Sequence, residues 1–128
     1  MSGLNALFST ALSGLNAAGA IVDTAASNIA NMDSAGYKAA RVNLASSPWG
    51  GVDVVSITRD PSPGGLDEDG QELSNVDLPT EAVNLKKGAL LYKANAAVIK
   101  AGDEMLGTLL DIFDHDRHDR HDRHDRHR

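Results

Sequence analysis

The chain is 128 residues long, room for one domain at the usual size of roughly 100 to 200 residues, and it has no cysteine. Disulfide frameworks and thiolate zinc sites are therefore excluded. The formal charge is −6, and because the last fifteen residues balance five Asp against five Arg, the excess lies before them. An acidic chain is a poor partner for nucleic acid, whose phosphates call for a basic face.

Residues 4 to 32 carry the first predicted element. Phe8, Leu15, Val22 and Ile29 recur every seven residues, and Leu4, Ala11, Ala18, Ala25 and Met32 form a second series offset from them. Two such series define an a/d seam, bulky on one side and mostly alanine on the other, along which a second helix can approach closely. Gly14 and Gly19 point the same way, since each costs about 1 kcal/mol relative to alanine inside a helix. No charged side chain precedes Asp23, but the start lacks the Lys or Arg of a secretory signal. Asn5, Ser9, Thr10, Ser13 and Asn16 interrupt the segment as a bilayer span, so stable membrane insertion is not expected. Gly36 is placed to take the left-handed conformation that stops a helix.

The middle, residues 37–76, reads as an extended or β segment followed by a loop. "GGVDVVSITRD" from Gly50 predicts a short strand with Val52 and Val54 on one side and Val55 and Ile57 on the other. "DPSPGGLDEDGQELSN" is a turn-rich acidic loop, without the alternating ligand register of a calcium loop.

A second helix is expected over 77–113, with Asp77 as N-cap, Pro79 in the first turn and Glu81 at the positive end of the dipole. Leu91, Val98, Met105 and Ile112 are again seven apart. Each helix would be on the order of 45 to 50 Å long. The fold expected is mainly α, two long terminal helices (1–36 and 77–113) paired as an antiparallel coiled coil, with a short β-hairpin or extended arm between them.

Residues 114–128 repeat Asp, Arg and His with no apolar residue after Phe113, and a disordered, solvated tail is expected. His115, His118, His121, His124 and His127 are the only dense set of metal ligands, and imidazole suits zinc, nickel or copper. A helical-hairpin binding module with a metal-binding histidine tail is accordingly one functional reading. Catalysis finds no support, since every histidine lies in the tail and a general base needs a rigid seat. No cofactor is expected.

The two termini also carry a resemblance. "ALSGLNAAGAIVDTAASNIANMDSAGYKAARV" (11–42) resembles the N-terminal signature of bacterial flagellar rod and hook axial proteins, and "SNVDLPTEAVNLKKGALLYKANAAVIKAGDEMLGTLLDI" (74–112) is similar to their C-terminal signature. The matching positions are Asn28, Asn31, Gly36 and Tyr37 at one end and Asn75, Val76, Glu81, Tyr92 and Asn95 at the other. The resemblance implies a structural subunit of the periplasmic basal-body rod, exported without a cleaved signal by the flagellar type III apparatus. Its partners would be further copies of itself and other axial proteins, and the short middle is most similar to the proximal-rod subgroup. Surplus apolar positions such as Leu7, Leu12, Leu90 and Leu110 fit the same expectation, because one hairpin cannot bury them all.

Overall fold

The computed structural model describes the backbone of residues 2–125 and the side chains of 3–118. Four elements follow in order: α1 (Ser2–Ala30), β1 (Ala40–Ser46), β2 (Val52–Arg59) and α2 (Leu78–Asp125). Helix α1 is built almost wholly from alanine and other small or aliphatic residues, with neither proline nor basic residues, so its backbone hydrogen bonds propagate uninterrupted. By length and apolarity, residues Gly3–Ala30 would suffice to cross a bilayer.

The helix ends at Ala30, six residues before the stop expected at Gly36. Asn31 closes it: its N–H is shared between the carbonyls of Ser27 and Asn28, and its side-chain amide donates to Ser27 O at 2.9 Å. These bonds satisfy carbonyls that a helix terminus otherwise leaves open. Gly36 does have a left-handed φ of 68°. Its N–H, however, reaches Glu72 O at 2.9 Å, so the glycine turns the chain toward the second half of the molecule and is not the cap of α1.

Helix α2 packs along α1 in the opposite direction. Gly88 lies against Ile21 and Val22, Asn95 against Gly14, and Gly102 against Leu7 and Phe8. The contact stripe on α1 is the alanine series, with Ala11, Ala18 and Ala25 at most 2 % exposed. On α2 it is Glu81, Gly88, Asn95 and Gly102, also seven apart, flanked by half-buried Leu85, Ile99 and Leu106. Small residues face small residues, and the backbones come close enough that a Cβ on Gly88 would sit 2.6 Å from Val22 Cγ2. The other interior glycine of α1, Gly19, has open space around it.

This pairing differs from the seam expected for α2. Leu91 and Val98 are 38 % exposed, Met105 58 % and Ile112 60 %, so the bulky series flanks the contact stripe, partly covered at Leu91 and Val98 and open beyond them. The reason is volume: an alanine row admits a glycine row at short distance, whereas leucine and methionine would hold the helices apart. The α1 members Phe8, Leu15, Val22 and Ile29 are half-buried beside the alanine stripe.

The segment expected to be a disordered tail is a continuation of α2 through Asp125. No proline interrupts the chain after Pro79 and no glycine after Gly107, and the three-residue repeat sets Asp116 four residues before Arg120 and Asp119 four before Arg123. That acid-before-base spacing favours a helix, and a helix already nucleated upstream extends one bond per residue. From the depth at which Gly102 meets Phe8, α2 runs past the start of α1 by roughly 25 Å.

The strands form an antiparallel hairpin whose register pairs Ala40 with Arg59 and Ser46 with Val52, with an irregularity after Asn43. Asn43 faces Ser56 and Leu44 faces Val54, so Val55 is the extra residue of a β-bulge. The bulge shifts the alternation by one, and it corrects the expected split of the valines: Val52, Val54 and Ile57 share one face with Val42 and Leu44. The opposite face is polar, where the Asn43 amide donates to the hydroxyls of Ser56 and Thr58. The loop after β2 makes an isolated bridge between Leu66 and Glu72, closed by a turn in which the Asp67 carboxylate accepts the N–H groups of Asp69 and Gln71.

Candidate functional site

Four of the motif residues meet at one place, where the hairpin joins the helix pair. Asn28 is fully buried. Its amide donates to Ala40 O at 2.9 Å while its Oδ1 accepts the Ala40 N–H at 2.9 Å, and Tyr37 Oη donates to the same oxygen at 3.1 Å. A side chain in the last turn of α1 thus mimics a neighbouring strand and fixes where β1 begins. Such pairing is worth most in burial, where an unmet amide or carbonyl would carry its full desolvation cost.

Asn75 repeats the device from the other half of the chain. Its Oδ1 accepts the Ala39 N–H at 2.7 Å, its amide donates to the carbonyls of Asp60 and Ser62, and its own N–H reaches Tyr37 O. Asparagine suits both positions because it offers donors and an acceptor on one planar group. Together Asn28 and Asn75 clamp residues 39 and 40 from both sides.

Glu81, in the first turn of α2, is the third member. It is fully buried, and its Oε1 accepts from Arg41 at 2.6 Å. Arg41 also donates to Ala40 O, and its side chain is 36 % exposed. Among the described residues, Glu81 Oε2 has no hydrogen-bond partner. The pair therefore ties α2 to β1 at a desolvation cost, which is usual for a device that fixes geometry more than it adds stability. A cavity of about 140 Å³ lies alongside, lined among others by Ile21, Arg41, Val42 and Asn84.

A fourth tie is more exposed. The Lys38 ammonium pairs with the Glu72 carboxylate and donates to Ser62 O. The hydrogen bond from Lys38, joined by the Gly64 N–H, holds the Glu72 carboxyl below its ordinary range. The backbone N–H of Ser62, followed by its side chain, does the same for Asp60.

The other motif residues lie elsewhere. Asn31 caps α1 locally, Val76 donates its N–H to Ser74 Oγ, and Tyr92 is half exposed on α2. Asn95 stands in the helix seam over Gly14, its amide bonded to Leu91 O. His115 and His118 are exposed, and no group of three or more metal-binding side chains occurs among the described residues. The side chains of His121 and His124, and all of His127, fall outside those residues.

Sequence reasoning missed Arg41, Lys38 and Glu72, which carry no local signal because their partners are 34 and 40 residues away. It also missed Gly88 and Gly102. Their signal was present: Glu81, Gly88, Asn95 and Gly102 keep the same spacing as Ala11, Ala18 and Ala25, but a search for bulky heptads passes over small ones.

The architecture is a terminal-helix hairpin with a short sheet folded against it, its halves tied by a polar junction and part of its bulky apolar stripe left open. Residues 8–38 match the family described as flagella basal body rod protein, and residues 71–112 match the family described as flagellar basal body rod FlgEFG protein C-terminal. The chain belongs to the flagellar rod and hook axial family, as a component of the basal-body rod. The two matches fall on the two halves of the junction, Asn28 and Tyr37 in one and Asn75 and Glu81 in the other. No curated protein matches the chain.

Proposed function

We propose that the chain is a structural subunit of the proximal rod, which packs through its helices against copies of itself and other axial proteins to form the tube that transmits torque. Delivery is by the flagellar type III apparatus to the periplasmic rod, without a cleaved signal. The observation that carries this reading is the exposed stripe Leu91, Val98, Met105 and Ile112 on α2. An apolar stripe of that length calls for cover, and α1 covers it only in part, leaving Met105 and Ile112 the most open. Docking of neighbours supplies free energy that the isolated hairpin lacks, so the monomer is marginal and the assembly firm. The family match is to a structural component, and catalysis has no part in the proposal.

Val98→Asp tests it. Val98 lies at the edge of the helix contact, 38 % exposed, so the monomer should lose about 1 kcal/mol in urea and remain folded. Sedimentable polymer and swimming in a complemented deletion strain should be lost. A Val98→Asp protein that assembles and supports motility like the parent would overturn the assignment of this stripe to subunit packing.

A further inference from the structure

The β-hairpin ends in Ser47-Pro48-Trp49-Gly50-Gly51, and Trp49, the sole tryptophan, is 95 % exposed. Its backbone is nevertheless well held. Ser47 N–H donates to Gly51 O, Gly50 N–H to Ser47 O, and Trp49 N–H to Ser47 Oγ. Gly50 and Gly51 both have left-handed φ, 95° and 86°, and they rest on Thr10 and Ser13 of α1, where Ser13 Oγ accepts the Val52 N–H at 3.1 Å. A large aromatic is thus presented to solvent on a turn that is anchored to a helix. Little ordering entropy remains to be lost when it is covered, and tryptophan is the side chain most enriched among the residues that dominate interfaces.

The same chain carries an apolar surface whose chemistry matches it. On the flank of α2, Ala101, Glu104, Met105, Thr108 and Leu109 line a shallow, open apolar groove of about 490 Å³. Met105 offers a thioether, which packs well on aromatic rings. Glu104 offers a carboxylate at the groove to accept an indole N–H, which needs a partner when buried. The turn around Trp49 bears no charge, so it brings no like charge against the Glu104 carboxylate. Trp49 does not enter the groove of its own chain, since it is almost fully exposed. Its anchor at Thr10 and Ser13 lies near the level where Gly102 meets Phe8, and the groove centre is on the order of 10 Å further along α2.

We propose that Trp49 of one copy inserts into the Met105 groove of a neighbouring copy displaced axially by that amount. This rests on the rod reading and names one of its contacts. Knob and groove are different patches of one chain, so the contact is heterologous, and repetition gives an open helical array and not a closed dimer.

The absence of native cysteine makes the test clean. Trp49→Cys mixed with Met105→Cys should form a disulfide-linked dimer at least tenfold more than Trp49→Cys mixed with Val83→Cys, and the double variant should form a ladder. Native Trp49 emission should shift to the blue on polymerisation, and Trp49→Ala should raise the critical concentration roughly tenfold or more. Dimer yield equal to the Val83 control, or emission that shifts on phosphatidylglycerol vesicles but not on polymerisation, overturns the contact. If polymer still sediments in that case, the rod reading stands without it; a parent chain that does not polymerise removes both.

Discussion

The two ends of this molecule are built on opposite principles. At the junction end, residues 28 to 41 and 72 to 81 place polar side chains in burial and give nearly every one a partner. At the far end, α2 runs on past α1 with Leu109, Leu110, Ile112 and Phe113 substantially exposed. The junction is complete within one chain. The far end has its apolar surface but not the surface that would cover it. Specification is therefore concentrated where two halves of one chain must find each other, and left open where other chains are expected.

That contrast can be broken most directly at Asn28. Asn28→Ala removes the partner of the Ala40 N–H, one of the two on Ala40 O, and that of Tyr37 Oη, and should destabilise by about 3 kcal/mol, given roughly 1 to 3 for each buried group left unmet. Urea titration of the monomer would measure it, and rapid hydrogen exchange at the Ala40 amide would locate it. Glu81→Ala comes next, at about 2 kcal/mol, below the usual 3 to 5 for a broken buried pair because Arg41 is partly solvated. The matching change at the open end, Ile112→Ser, should leave monomer stability within about 0.5 kcal/mol. Equal losses at Asn28 and Ile112 would refute the division into a closed and an open end.

Glycines sharpen the contrast further, because one residue type plays two parts in α2. A Cβ on Gly88 would press on Val22 and Ile21, whereas one on Gly107 meets nothing within 4 Å. Gly88→Ala should therefore lose about 1 kcal/mol or slightly more, overpacking outweighing the gain in helix propensity. Gly107→Ala should gain about 0.5 to 1 kcal/mol from propensity alone. Melting curves of the two variants, compared with the parent, give the signs.

The existence of the two helices and the start of α2 were legible because each depends on residues close in sequence: Asp77 precedes Leu78, and alanine periodicity needs no partner to be seen; the ends of both helices, at Ala30 and Asp125, were not. The inner face of α2 was misread because hydrophobic periodicity was equated with burial. Glu81, Gly88, Asn95 and Gly102 face inward for reasons of volume, not hydrophobicity, and Leu91 to Ile112 flank that stripe instead of forming it. The phase of β2 was misread at Val55, where a bulge shifts the alternation and no residue in the stretch announces it. Asn28, Tyr37, Asn75 and Glu81 were identified through family likeness; what the residues do, clamp Ala39 and Ala40 from two sides, depends on contacts 12 and 36 positions apart.

The smallest effect expected lies at the rim of the closed end. The Lys38 ammonium and the Gly64 N–H favour the ionised form of Glu72, so its pKa in the folded chain is below that of the unfolded chain. A depressed folded pKa means that the contribution is fully present above the unfolded value, about 4.3 for glutamate, and is lost as pH falls through the lower folded value. Asp60, held down chiefly by the Ser62 N–H, acts in the same direction. Because both groups are solvent-accessible, the loss should be slight and confined to the loop that they pin, seen as faster exchange of the Gly64 and Ser62 amides below about pH 4. Lys38→Met should remove most of the change at Gly64 and leave that at Ser62, which depends on Asp60. The bonds of Asn28 and Asn75 involve no carboxylate, so the Ala39 and Ala40 amides should hold their protection across the same range. If they exchange in step with Gly64, the rim and the buried clamp open together, and the closed end is a single cooperative unit.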